Sequence, residues 1–217
     1  MNPFAAIAQA IAKLFSFFKA LAPPPAPAPQ PKSEPKPEPK PKPKPTPTPA
    51  PQEPPWMIAS GVEIGVTETP GPKSTQRIID YRRLAGCDLE GDDGAVPWCR
   101  IYICAIFASC GIPYKKDWMA RAVEHDANFV QLPGPALGAV CSFWRSSKAS
   151  GLGHTGFYRG ETKTKVLVEG GNESDAVRRQ FSLKANLVGY YWPKGYPLPK
   201  IGEIGVDDDG KPIGSVV

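Results

Sequence analysis

The first 22 residues place their hydrophobic side chains at helical spacing. The apolar positions fall within one arc of a helical projection, and they are Phe4, Ile7, Ile11, Leu14, Phe15, Phe18 and Leu21. The polar positions fall opposite, at Asn2, Gln9, Lys13, Ser16 and Lys19. This pattern predicts an amphipathic helix that lies at a membrane surface or binds a partner. An uncleaved signal or signal-anchor and a helix packed on its own domain stay open as alternatives, although Lys13 interrupts the apolar run of a signal.

A long proline-rich stretch follows, from residue 23 to residue 55. It holds 17 of the 28 prolines, at nearly every second position, and contains no large apolar residue. Such a chain has nothing to bury in a core and adopts the polyproline II conformation, at about 3.1 Å per residue. The sequence therefore predicts an extended Pro/Lys-rich linker with a reach of roughly 100 Å.

The hydrophobic pattern changes to that of a folded domain at Trp56. Apolar residues recur at helical spacing over 56–66, and a second short helix is predicted over Ser74–Leu84, after a Pro-Gly-Pro break. The stretch 98–111 has no polar face, which is typical of a helix buried in a core. A fourth helix is predicted within 117–130.

Beyond Pro135 the pattern changes to short apolar stretches separated by turns. Strands are predicted at 138–144, 154–160, 165–171, 177–183 and 187–193. Helices followed by an antiparallel sheet are the order of an α+β domain, so we expect one such domain over 56–193. Residues 194–217 are rich in Gly, Pro and Asp, and we expect them to form an extended or loosely attached tail.

The charge distribution and the cysteine content argue against two classes of function for this domain, nucleic-acid binding and zinc binding. The net charge is +5, but residues 1–55 hold seven Lys and three Glu, so the rest of the chain carries only +1. A nearly neutral domain argues against nucleic-acid binding, whereas a basic tail suits an anionic envelope. Five Cys, two His and no CxxC pair do not favour a zinc site. We therefore expect neither a metal nor another cofactor.

Cys99 is the thiol in the best position for chemistry. It lies at the first turn of the predicted buried helix, where free backbone N–H groups stabilise a thiolate. His154 follows a glycine turn and opens a predicted strand, and Asn172 follows the next strand, where its carboxamide could fix the tautomer of the ring. A cysteine, a histidine and an orienting polar residue in this order are typical of papain-like thiol hydrolases.

Several short motifs in one order resemble the phage and bacterial peptidoglycan hydrolases of the NlpC-type and CHAP (cysteine-histidine-dependent amidohydrolase/peptidase) superfamily. The motifs are EIGVTETPGP (63–72), IIDYRR (78–83), Asp92-Asp93 before PWC (97–99), GHTGFY (153–158), VEGGN (168–172) and GYYWP (189–193). The resemblance covers roughly Pro55 to Pro193. It implies a papain-like fold in which the nucleophile helix packs on an antiparallel sheet that carries the histidine.

The resemblance also implies roles for single residues. Cys99 would be the nucleophile, and His154 the general base and then the general acid. Asn172 would orient the ring, with Glu169 as the alternative. Substrate contacts are expected from Trp98, Asp93, Tyr158 and Trp144, with Trp118 as a further candidate for the cleft. Arg100 departs from the small residues that usually follow this cysteine in the family.

The implied function is hydrolysis of an amide bond in peptidoglycan through an acyl-enzyme, by an enzyme of phage lysis or of prophage origin. The expected partners are peptidoglycan and, through residues 1–22, a membrane surface. We expect a monomer in the bacterial cell envelope that binds no nucleic acid. Two alternatives stay open: a catalytically inactive wall-binding module of the same fold, and a papain-like enzyme that acts on proteins.

Overall fold

We describe residues 53–199 and 204–213 of a computed structural model of the chain. The helix expected over 1–22, and the expected linker as far as residue 52, lie outside the described residues. Within them the domain is α+β, as predicted, with helices first and a six-stranded antiparallel sheet after them. In this described part of the chain no helix is long and apolar enough to cross a membrane.

Three α-helices lie where the hydrophobic periodicity predicts them. They are α1 (Pro55–Gly61), α2 (Gln76–Ala85) and α3 (Cys99–Ser109). The prediction of a fourth helix over 117–130 is wrong. That stretch forms a short 3₁₀ helix, Ala122–His125, and then a strand.

Asp126 is the residue that ends the helical conformation in this stretch. Its backbone is extended, with φ −90° and ψ 110°. Its carboxylate accepts hydrogen bonds from the backbone N–H groups of Lys115 (2.8 Å) and Asn128 (3.0 Å). It also lies 3.1 Å from Nη2 of Arg100, and both side chains are fully buried. These side-chain contacts compete with a helical backbone and override the helical periodicity of the sequence.

The sheet contains six antiparallel strands in the order β1-β6-β2-β3-β4-β5. The strands are β1 (Phe129–Leu132), β2 (Val140–Trp144), β3 (Gly153–Glu161), β4 (Lys165–Gly170), β5 (Arg178–Leu183) and β6 (Leu187–Pro193). The five predicted strands are confirmed, whereas β1, which pairs with β6, was not predicted. β2 and β3 form a hairpin in the interior of the sheet, with His154 opposite Phe143.

α3 packs against the sheet and forms the centre of the core. Its residues 99–107 are all buried. The ring of Phe107 lies 5.5 Å from that of Phe157 on β3 and 5.8 Å from that of Trp56 on α1. Trp56 in turn lies 5.0 Å from Trp192 on β6. Because burial of one such side chain contributes about 1.5–3 kcal/mol, these contacts hold the C-terminal half of α3 against β3 and α1.

The described part of the C-terminal segment is attached to the sheet. The backbone N–H of Glu161 donates to the carbonyl of Ile204 (2.7 Å), and the N–H of Val206 donates to the carbonyl of Glu161 (3.0 Å). The side chain of Val206 is buried. Residues 204–206 are therefore held against the end of β3.

Candidate active site

Cys99 is the first residue of α3 and is 6% exposed. The carbonyl of Trp98 before it accepts a hydrogen bond from the N–H of Tyr102 (2.8 Å), which closes the first turn. The indole N–H of Trp98 donates to Glu68 (2.6 Å), and the indole ring stacks on Tyr81. The predicted position of Cys99 at the start of the buried helix is thus confirmed, and the residue before it is held by three contacts.

His154 is the second residue of β3 and is buried. Gly153 before it lies so close to the carbonyl of Phe143 and to the side chain of Arg121 that a Cβ would collide with both. Glycine is therefore required for the β2–β3 hairpin to close at this point. The local sequence thus places His154 at the beginning of a strand, as predicted.

Cys99 and His154 are brought together at the wall of one cavity, although they lie 55 residues apart in the sequence. Burial opposes a charged thiol, but the hydrogen bond of His154, its charge and the backbone N–H of Arg100 lower the pKa of Cys99 below its usual range. Burial likewise opposes a charged ring, but the contacts with Cys99 and Glu173 raise the pKa of His154 to about 10. Both shifts favour a thiolate–imidazolium pair at neutral pH.

Glu173 is the residue that orients the ring of His154. Its Oε1 lies 2.5 Å from Nε2 of His154, and Glu173 is 2% exposed. With Nε2 held by this carboxylate, Nδ1 is the ring nitrogen left for the thiol of Cys99. Sequence reasoning missed Glu173, although it directly follows the VEGGN motif in which the third residue was expected.

Neither residue predicted for the orienting role makes this contact. Asn172 has a left-handed backbone (φ 57°) and lines a cavity beside Cys99 and His154. Glu169 is fully buried and pairs with Arg179 (2.9 Å) and Arg159 (3.3 Å). The left-handed turn at Asn172 redirects the chain, so the next side chain, that of Glu173, reaches the imidazole.

Gly171 lets this loop pack against the start of α3. An added Cβ would lie 2.5 Å from Cζ3 of Trp98 and 2.6 Å from Cβ of Tyr102. Only glycine allows so close an approach. Gly171 of VEGGN thus brings the segment that carries Glu173 against the start of the helix that carries Cys99.

A cavity of about 780 Å³ lies beside Cys99 and His154. Much of its wall is apolar, and the apolar residues are Leu89, Pro97, Trp118, Met119, Ala120 and Leu152. Lys116, Asp117, Arg145, Ser146 and Asn172 supply polar groups. A pocket with apolar walls and a few polar groups around a reactive pair is the usual form of a small-ligand or peptide site.

The four predicted substrate-binding residues do not line this cavity. Trp98, Asp93 and Tyr158 are fully buried and contribute nothing to its wall. Oδ2 of Asp93 accepts the backbone N–H of Thr75 (2.8 Å) just before α2, and Tyr158 packs edge-on against Tyr190. Trp144 is half-buried at the end of β2 and is likewise absent from the wall. Trp118, the further aromatic candidate, does line the cavity.

The metal-ligating residue types form no cluster in 53–199 and 204–213: no group of three or more His, Cys, Asp or Glu side chains there could hold a metal ion. All five cysteines have free thiols. Cys104 and Cys141 are buried, and burial raises the pKa of both thiols. Cys99 therefore differs from these two in having a lowered pKa and a basic partner.

Comparison with known proteins gave no match: no family model, no curated protein and no solved structure matches this chain.

Proposed function

We propose that this chain is a cysteine hydrolase in which Cys99 attacks an amide carbonyl and His154 moves the protons. One observation carries the proposal: a thiol of lowered pKa at a helix N-terminus contacts a histidine, which a buried carboxylate orients, beside an open cavity. A nucleophile, a base and an orienting group in hydrogen-bond contact are the parts that covalent amide hydrolysis needs.

The reaction proceeds in two halves. The Cys99 thiolate adds to the substrate carbonyl, and the imidazolium of His154 gives its proton to the amine as the C–N bond breaks, which leaves a thioester on Cys99. Neutral His154 then takes a proton from a water molecule as that water attacks the thioester. The carboxylic acid product leaves, and the thiolate–imidazolium pair is restored.

Charge on the carbonyl oxygen is stabilised at the start of α3. The N–H groups of the first helical turn have no acceptor within the helix, and the helix dipole favours negative charge there. The backbone N–H of Cys99 is therefore expected to donate to the oxyanion. Glu173 supports both halves because it stabilises the charged imidazole and keeps its Nδ1 toward the sulfur.

Peptidoglycan is the substrate that we propose. The support is the order of sequence motifs that resembles the NlpC-type and CHAP hydrolases, together with the α3-on-sheet packing that such a papain-like arrangement requires. The basic, proline-rich stretch before the domain suits an enzyme that works at an anionic envelope, tethered by residues 1–22 at a membrane. A phage lysis enzyme or a prophage-derived enzyme has this organisation.

Mass spectrometry of fragments released from purified peptidoglycan tests the proposal. The full chain is compared with Cys99→Ala and His154→Ala. Release by the wild type alone supports the hydrolase, and the fragment masses identify the bond. Binding to peptidoglycan without release by any of the three would instead favour a catalytically inactive wall-binding module.

Fractionation tests the proposed tether. The full chain is expected in the membrane fraction, and a chain that lacks residues 1–22 in the soluble fraction. Equal solubility of the two would contradict a membrane role of this segment.

A further inference from the structure

Besides His154, three charged residues line the cavity: Lys116, Asp117 and Arg145. The carboxylate of Asp117 lies 3.2 Å from the ammonium group of Lys115. The negative charge of Asp117 is therefore paired with a cation two residues before it. Lys116 places its ammonium group against Gly86, the C-terminal cap residue of α2, where helix carbonyls favour a cation.

Arg145 has no such partner in the described part of the chain. No carboxylate there lies within ion-pair distance of its guanidinium. The cavity therefore has an uncompensated positive charge in a wall that is otherwise largely apolar.

The backbone of Arg145 is held firmly in the loop between β2 and β3. Its N–H donates to the carbonyl of Leu152 (2.9 Å). Its own carbonyl accepts from the N–H of Ser147 (2.7 Å) and from the hydroxyl of Ser150 (2.8 Å). The loop thus folds back on itself and keeps Arg145 in place.

This loop holds Arg145 at the same end of the β2–β3 hairpin as His154. Trp144, the residue before Arg145, pairs with Gly153, the residue before His154. Burial opposes a lower pKa of the Cys99 thiol, but the hydrogen bond of His154 and, to a smaller extent, the charge of Arg145 lower it. Cys99, His154 and Arg145 all line the same cavity, so the guanidinium faces the space in which a group bound at Cys99 would lie.

We propose that Arg145 selects substrates that carry a free carboxylate beside the amide bond that Cys99 attacks. The inference rests on the proposed function. Arg145 is exposed at this wall, and a guanidinium binds a carboxylate through two parallel, charge-assisted hydrogen bonds. A carboxamide in the same place has no charge and brings N–H donors toward the donors of the guanidinium. Amidated peptides are therefore poorer substrates.

Two synthetic peptidoglycan stem peptides test the inference. They are identical except that the free carboxylates of the first are carboxamides in the second. Values of kcat/KM are measured for the full chain and for its Arg145→Gln and Arg145→Lys variants. The ratio between the two peptides is the readout, because loss of Arg145 also changes the thiol and so affects both rates.

We expect the wild type to prefer the carboxylate peptide roughly tenfold or more, as a charge-assisted hydrogen bond implies. Arg145→Gln should lose this preference and Arg145→Lys should keep part of it. Lys148→Gln is the matched control, because Lys148 is an exposed cation of the same loop that does not line the cavity. It should leave the ratio unchanged.

Equal kcat/KM for the two peptides, or a preference that survives in Arg145→Gln, would overturn the inference and leave the proposed function intact. If neither peptide is cleaved, the proposed function fails, and calorimetric binding to Cys99→Ala decides the inference separately. Tighter binding of the carboxylate peptide, lost in Cys99→Ala/Arg145→Gln, would support the role of Arg145. Equal binding of the two peptides, or no binding, would overturn it.

Discussion

Glu173 and His154 form a buried hydrogen bond of 2.5 Å between Oε1 and Nε2, across 19 residues of sequence. A carboxylate in this place does more than orient the ring. Its negative charge favours imidazolium, and together with the contact from Cys99 it outweighs burial and raises the pKa of His154 to about 10. Cys99 and Glu173 together therefore extend the pH range in which His154 is charged.

Replacing Glu173 should shift the alkaline limb of the pH–rate profile. Because the pKa of His154 is raised in the folded protein, the charged pair persists as pH rises and is lost through about pH 10. Glu173→Gln keeps a hydrogen-bond acceptor but removes the charge, so that limb should move to lower pH. Glu173→Ala should lower kcat/KM by about 100-fold. The measurement is kcat/KM from pH 5 to about pH 11, so that the wild-type limb near pH 10 is covered.

Asp175→Asn is the matched control for this experiment. It removes an exposed carboxylate two residues from Glu173, and Asn tolerates the left-handed backbone of that position (φ 62°). The profile of this variant should match that of the wild type. An equal shift in Asp175→Asn and Glu173→Gln would mean that general electrostatics, not the contact with His154, sets the limb.

The variant Asn172→Gly distinguishes a role of Asn172 in the cavity wall from a role in orienting His154. Glycine accepts the left-handed backbone of Asn172 (φ 57°) without strain, so the turn that carries Glu173 stays in place. We expect KM to rise, because a polar group of the wall is lost, and the pH profile of kcat to stay unchanged. A shift of that profile like the one in Glu173→Gln would restore Asn172 to the orienting role that the sequence suggests.

The sequence was sufficient to single out Cys99 and His154, which the structure brings together, but not Glu173. Cys99 could be found because it starts a helix with no polar face, and His154 because a glycine turn and a strand pattern surround it. Which side chain reaches the ring depends on the left-handed turn at Asn172. Local patterns of residue types contain no signal that distinguishes Glu173 from its neighbours in such a turn.

Gly171→Ala should lower both stability and activity, although Gly171 itself has no part in the proposed reaction. The added methyl group would meet the side chains of Trp98 and Tyr102 at 2.5 and 2.6 Å, so the loop that carries Glu173 must move away from α3. We expect a loss of roughly 1–3 kcal/mol in the free energy of unfolding, as for other overpacked sites. A lower kcat/KM should accompany it. Gly134→Ala is the control, because a Cβ at Gly134 meets nothing within 4 Å.

Urea denaturation and kcat/KM of both variants check this prediction. If Gly171→Ala is as stable and as active as Gly134→Ala, the close approach at Gly171 does not hold the loop.

Asp126→Asn should destabilise the fold strongly. The change leaves the buried guanidinium of Arg100 without its negative partner, and a buried pair broken in this way typically costs about 3–5 kcal/mol. The measurement is the free energy of unfolding in urea. Asp80→Asn breaks the surface pair with Arg83 and should cost about 1 kcal/mol or less. Similar losses in the two variants would contradict a structural role for the buried pair.

Packing also explains two points that the sequence could not settle, namely which residues line the cavity and where β1 lies. Aromatic and acidic residues near a cysteine fit a cleft or a core equally well in sequence, and only the packing shows that Trp98, Asp93 and Tyr158 are enclosed. The stretch 117–130 has helical periodicity, but the hydrogen bonds of Asp126 end the helix and β1 follows. Both points depend on contacts between residues that are not neighbours in the chain, and the local sequence pattern does not contain such contacts.

The rate of Cys99 alkylation as a function of pH tests the central claim most directly, namely that Cys99 is a thiolate held by His154. The full chain is treated with iodoacetamide between pH 5 and pH 9, and each cysteine is quantified by peptide mass spectrometry. Cys110 serves as an internal reference, because burial raises the pKa of its thiol.

We expect Cys99 to react at least tenfold faster than Cys110 at pH 6 and to change little up to pH 8, because a lowered thiol pKa keeps the thiolate populated as pH falls. His154→Ala should abolish this advantage. A Cys99 that is as slow as Cys110 at pH 6, or a rate that His154→Ala leaves unchanged, would contradict the account.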